Sequence, residues 1–150
     1  MDLKKNIKNE CFVDNSNGTL IFDKKNLISN KIKIENLISM GYKDKFSEFG
    51  FDKITAKKVD FGGIYFDVEF VFKNKNLTRI YFIMSNEKEQ LIKIWTDYKE
   101  DNIESKKEKY DKWLDICLLG KRKFKWGVIE AVVEKKMWNT VLILDYKLLK

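Results

Sequence analysis

Histidine and proline are both absent from the 150 residues, and cysteine occurs only twice, at Cys11 and Cys117. Each gap removes a class of chemistry. Without histidine no serine or cysteine can be paired with an imidazole base, so the usual nucleophilic triads are excluded. Two cysteines far apart, with no histidine between them, do not make a zinc site. They are read as small buried hydrophobes, the commonest fate of a free thiol. No phosphate-binding loop or dinucleotide fingerprint occurs either, and the pair Gly62-Gly63 alone carries no such meaning. Enzymatic activity is therefore expected to be absent, and no cofactor or metal is expected.

Arginine is scarce as well. Only Arg79 and Arg122 stand among the 30 basic residues, although the net charge is +7. An excess of basic residues suggests nucleic acid, but arginine is the side chain that grips phosphate and guanine in a fork, and lysine does not replace it. The charge is also spread along the chain, so the lysine excess is read as a compositional bias. Long apolar runs are missing too. Uncharged stretches such as Asn15 to Phe22 are partly polar and fall far short of the roughly 20 apolar residues a membrane span requires. The opening residues Met1 to Asn6 do not lead into an apolar secretory core, so a cytoplasmic chain with no membrane attachment is expected.

What is present suffices for a folded core. Hydrophobic residues make up 44% of the chain and aromatics 14%, with 35% charged to solvate the exterior, which places it among ordered proteins. At this length one domain, residues 1 to 150, is the simplest reading. The clearest period lies between Phe61 and Met84. Ile64, Phe66, Val68, Phe70 and Phe72 fall on one side of an extended strand, and Tyr65, Asp67, Glu69, Val71 and Lys73 on the other. A second strand, Leu77 to Met84, follows after Asn74-Lys75-Asn76. A two-residue turn would set Phe70 against Arg79. A three-residue loop sets Phe70 against Ile80, Val68 against Phe82 and Phe66 against Met84, and is preferred, with Asn76 in the left-handed position.

The remaining segments supply further elements. Asn17-Gly18 between Cys11-Phe12-Val13 and Thr19 to Phe22 predicts a first hairpin. Glu35 to Met40 predicts a short helix stopped by Gly41. Tyr42 to Gly50 is expected to be a loop pinned to the core by Phe46, Phe49 and Phe51. Ile54 to Asp60 predicts a strand. Glu87 to Tyr98 fits a helix or a strand. Ile103 to Leu119 carries an apolar stripe at helical spacing and predicts the main amphipathic helix, with Gly120 at its end. Phe124 to Val133 and Thr140 to Leu148 predict a last strand pair about a turn at Glu134 to Asn139. The expected fold is α+β: a mostly antiparallel sheet of about five to seven strands, with one main helix packed on one face in two layers.

Trp95-Thr96-Asp97-Tyr98, the charged helix ending Trp113-Leu114-Asp115 with Leu119-Gly120, Phe124-Lys125-Trp126-Gly127 and the closing Ile143-Leu144-Asp145-Tyr146 resemble small bacterial α+β proteins, some of them immunity partners of polymorphic or contact-dependent toxins. The likeness covers roughly residues 60 to 148. It departs at Glu134 to Asn139, which lack a glycine- and serine-rich loop. The resemblance implies a non-enzymatic protein, monomer or homodimer, that neutralises a cognate toxin by direct contact.

Three groups of residues compete for a functional role. Tyr65, Asp67, Glu69, Arg79 and Tyr81 share the outer side of the central hairpin with Val71, Leu77 and Ile83, a face unusually apolar for solvent and of the type favoured at protein contacts. Asp67 and Glu69 also have the spacing of paired carboxylates, which a metal-dependent nuclease would use. An ion pair of Arg79 with Glu69 on a solvated strand is the preferred account of them. Lys121, Arg122, Lys123 and Lys125, interleaved with Phe124 and Trp126, form the alternative surface, one for nucleic acid. The preferred reading there is a helix end followed by a strand whose aromatic rings point inward.

Overall fold

A computed structural model of the chain describes residues 12–22, 26–42, 44–61, 63–94, 103–134 and 139–146. In chain order the elements are β1 (Leu20–Phe22), β2 (Asn26–Ile28), α1 (Ile34–Ser39), β3 (Asp44–Glu48), β4 (Phe51–Phe61), β5 (Ile64–Lys73), β6 (Asn76–Met84), α2 (Glu87–Ile94), α3 (Ile103–Leu118), β7 (Lys123–Phe124), β8 (Gly127–Glu134) and β9 (Asn139–Tyr146). Seven strands form one sheet in the order β3-β4-β5-β6-β9-β8-β7, and β1 and β2 form a second, two-stranded sheet. Every neighbouring pair is antiparallel. The fold is thus mostly antiparallel sheet with three described helices, where one main helix was expected.

The central hairpin pairs as its sequence predicts, Phe66 with Met84, Val68 with Phe82 and Phe70 with Ile80, but by a different device. The turn is two residues, Asn74 and Lys75, both left-handed at φ 51° and 68°. A bulge at Thr78 then restores the register that such a turn would otherwise have lost. Thr78 Oγ1 donates to the Val71 carbonyl across that bulge at 3.1 Å. One consequence corrects the sequence reading. The extra residue reverses the alternation at the start of β6, so Leu77 turns into the core and does not lie on the outer face.

A second bulge shapes β4. Ala56 opposes Val68 and Val59 opposes Phe66, leaving Lys57 and Lys58 together opposite Asp67. The core positions therefore change parity along the strand, from Ile54 and Ala56 to Val59 and Phe61, all buried. Residues Tyr42 to Gly50 are not the expected loop. Asp44–Glu48 form an edge strand hairpinned to β4 through Phe49 and Gly50, at φ 50° and 80°. A two-residue turn with both φ positive matches strand twist, and the pairing it permits outweighs the strain on Phe49. Phe46 and Phe49 are consequently exposed, at 44% and 90%, instead of pinned to the core.

One cluster of buried side chains joins the inner sheet face to the helices through Leu37 of α1, Leu91 of α2 and Tyr110, Trp113, Leu114 and Leu118 of α3. Phe12 sits at its centre. Its ring lies edge-on to Phe61 and Phe82, each at 5.7 Å, and stacks on Trp113 at 4.9 Å. The first hairpin takes the form of a single bridge, Val13 to Leu20, about a turn in which Asp14 accepts from the Ser16 amide and hydroxyl. That turn is clasped to the far end of the sheet, because Trp126 Nε1 donates to the Asn15 carbonyl and Tyr146 Oη to the Gly18 carbonyl, each at 2.8 Å.

Cys117, in the last turn of α3, is half-buried and disulfide-bonded. This overturns its reading as a small free hydrophobe. The only other cysteine, Cys11, lies outside the described residues, as do Trp95 to Tyr98, Gly62, residues 135–138, for which a turn was expected, and the residues beyond Tyr146. Among the described residues no helix is long and apolar enough to cross a membrane.

Candidate functional site

The helices all contribute to the cluster on one face of the large sheet, and the opposite face is laid out by strand register alone. Three rows of side chains cross it. The first runs Lys53, Val71, Arg79, Asp145 and Val128; the second Thr55, Glu69, Tyr81, Ile143 and Glu130. A third begins with Asp67 opposite Ile83 and continues on β9 and β8 with Val141 opposite Val132. Val71 and Val141 are buried by their neighbours on this face, and both stay outside the helix-side core. Two shallow depressions of about 330 and 390 Å³ open between these rows, the first lined by Arg79, Tyr81 and Asp145 and the second by Asp67, Glu69, Tyr81 and Ile83.

Lys53 and Tyr81 line both depressions, and Arg79 stands beside Tyr81 in the first. Arg79 Nη2 donates to Asp145 Oδ2 at 2.8 Å and Nη1 to the Tyr81 hydroxyl at 3.2 Å, with the guanidinium 5.9 Å from the Tyr81 ring centre. The Tyr81 hydroxyl first, and Asp145 second, push the Arg79 pKa above its ordinary value, so the charge is permanent. Both members of the Arg79–Asp145 pair are more than two-fifths exposed. Such a pair adds only about 0 to 1 kcal/mol to stability. Its stronger effect is to fix the guanidinium between Asp145 and the Tyr81 hydroxyl.

The expected pairing of Arg79 with Glu69 does not occur. Arg79 is turned to β9, and Glu69 lies 3.9 Å from Lys53 on the other side. Asp67 belongs to the bulge: its Oδ1 accepts from the Lys58 amide at 3.1 Å and from the Ser85 hydroxyl at 2.7 Å. A carboxylate committed to two donors beside a left-handed Lys58 is explained by architecture. No group of three or more acidic or cysteine ligands occurs among the described residues. Replacing Asp67 by asparagine is expected to cost about 1 to 2 kcal/mol by weakening both bonds. Divalent metals should leave the melting temperature of the unaltered protein unchanged. A calorimetric scan of both proteins, with and without magnesium, checks this.

Tyr65 is exposed but lies beyond the depressions. Its amide donates to Gln90 Oε1, and its carbonyl accepts from Gln90 Nε2, each at 2.8 Å. The strand end is thereby tied to α2, and Tyr65 falls outside the cluster formed by Asp67, Glu69, Arg79 and Tyr81. Sequence reasoning missed Lys53, Val141, Ile143 and Asp145. The signal for β9 was present: an acidic residue in an alternating strand, Asp145, matches the single arginine of β6.

No family model, no curated protein and no solved structure matches the chain.

At the basic stretch, Arg122 is bound to α3, its Nη2 lying 2.7 Å from Asp115 Oδ1 and donating to the Asp111 carbonyl at 3.0 Å. Phe124 stacks on Trp126 at 4.9 Å, and Trp126 is buried. Lys121, Lys123 and Lys125 are exposed around an open depression of about 520 Å³ that Phe124 and Trp126 also line, together with Asn15 and Ser16. The stretch thus sets three exposed lysines beside two rings that are already stacked on each other, one of them buried, whereas single-stranded nucleic acid binding uses rings open to the bases.

Proposed function

We propose that the protein is a non-enzymatic binding module that engages a partner protein through the open face of its large sheet, and that this partner is a toxin encoded beside it. The observation that carries the reading is the arrangement of that face. Tyr81 and a permanently charged Arg79 stand at its centre, ringed by Val71, Ile83, Val141 and Ile143, and no described element lies over them. Tyrosine and arginine in a mostly apolar surround are the residue types that dominate protein contacts, whereas a solvated strand face alternates to polar. Glu69, Glu130 and Asp145 supply the polar surround.

The test is direct binding to the product of a toxin-like reading frame adjacent to the gene. Replacing Arg79 and Tyr81 together by alanine is expected to raise the dissociation constant at least about a hundredfold, while Ile116→Ser on the exposed side of α3 leaves it unchanged. Unaltered affinity in the double variant removes the open face from the contact. The absence of any such reading frame removes the toxin from the proposal.

A further inference from the structure

The large sheet ends on one side in β3, and the five residues Asp44–Glu48 are exposed throughout, with no strand beside them among the described residues. An edge of this kind presents unpaired amides and carbonyls to which another chain can add. Asp44, Phe46 and Glu48 oppose Thr55, Lys53 and Phe51, so they continue the open face by one more strand. Lys53 Nζ stands 5.4 Å from the centre of the Phe46 ring. The strand contains no proline and no bulge, the two usual obstacles to an added strand.

Three charges on β3 guard it against indiscriminate pairing, and their order selects what can pair. A second copy related by a two-fold axis must match residues of equal parity. Centred on Phe46, the pairing sets Asp44 against Glu48 at both ends. Centred on Lys45, it sets lysine against lysine. Centred on Ser47, it sets each Phe46 against a carboxylate. Like charges directly opposite destabilise an antiparallel pair, so the first two self-pairings are disfavoured, and the third sets an aromatic ring against a carboxylate where an apolar partner would pack better. A different chain with cations at the two outer positions and an apolar residue between them meets no such conflict.

We propose that β3 accepts an antiparallel strand from a partner protein, carrying basic residues opposite Asp44 and Glu48 and an apolar residue opposite Phe46. This deepens the reading of the chain as a binding module, since the added strand would extend the open face beside Phe46. Backbone pairing supplies the attachment and the alternate side chains supply the selectivity.

The probe is a synthetic peptide with lysine at its second and sixth positions, valine at its fourth and threonine elsewhere, added to the full chain. Amide exchange across Asp44–Glu48 is expected to slow at least about tenfold at saturation, because paired amides exchange only on opening. Asp44→Lys combined with Glu48→Lys should weaken this peptide at least about tenfold and favour the version with glutamate in place of lysine, by the same charge matching. Four results overturn the proposal: no binding at millimolar peptide, binding that leaves the β3 amides unchanged, an affinity indifferent to the charge reversal, or β3 protection in the free protein with a dimeric mass. Arg79 and Tyr81 play no part in these measurements, so failure here and failure of the open-face contact are distinguishable.

Discussion

Replacing Gly127 by alanine is expected to cost about 3 kcal/mol or more and to lower the denaturant midpoint accordingly. Gly127 opens β8 opposite Tyr146, and an added Cβ would overlap the Asp145 carbonyl oxygen while standing 3.1 Å from the Tyr146 Cα. These neighbours are backbone atoms of the paired strand, so no side-chain rotation relieves the overlap. The strands must separate where Tyr146 Oη reaches Gly18 and where Asp145 holds Arg79. The substitution should therefore both destabilise the fold and disturb the proposed contact face. A urea titration with a midpoint within experimental scatter of the parent would show that β8 and β9 approach less closely than described.

Phe82→Ala should be still more damaging, about 3 to 5 kcal/mol. The ring is fully buried, lies edge-on to Phe12, Phe61 and Phe66 at 5.7, 5.4 and 6.0 Å, and belongs to the strand that joins the two halves of the sheet. A cavity there is walled by rings from three different elements that cannot all collapse into it. Thermal unfolding of the variant measures the loss. A cost below about 1.5 kcal/mol, the range of a volume-conserving change, would mean that the aromatic cluster is not the core of the fold.

Much of this architecture is legible in the residues because the strands are amphipathic. The alternation from Ile64 to Phe72 marks β5, and matching it to β6 gives the observed partners before any turn is known. What the alternation hides is how the register is reached. Thr78 reads as an ordinary strand residue, yet as a bulge it moves Leu77 from the outer face to the core. The change of parity between Ala56 and Val59 carries the other bulge in plain view, and Asp67 explains itself only when its bonds to Lys58 and Ser85 are seen.

The candidate site was half legible for the same reason. Asp67, Glu69, Arg79 and Tyr81 share one hairpin, and local pairing predicts that they share a face. Asp145, Ile143 and Val141 reach that face only because β9 inserts between β6 and β8, a long-range choice that the alternation does not decide and that only the match of Asp145 to Arg79 signals. Phe46 misled the reading because an aromatic residue between charged ones resembles an anchor, whereas its place on an edge strand leaves it exposed. The disulfide bond of Cys117 was equally invisible, since a sequence alone does not tell a bonded thiol from a free one.

The most direct test of the open face as the contact surface is site-specific photo-cross-linking in the producing cell. A photoreactive phenylalanine analogue would be placed at Tyr81 in one protein and, as the reference, at Ile116 on the exposed side of α3 in another. The proposed contact predicts one discrete cross-linked partner from the Tyr81 position and none from the Ile116 position. A partner captured only from Ile116, or from neither position, would contradict it.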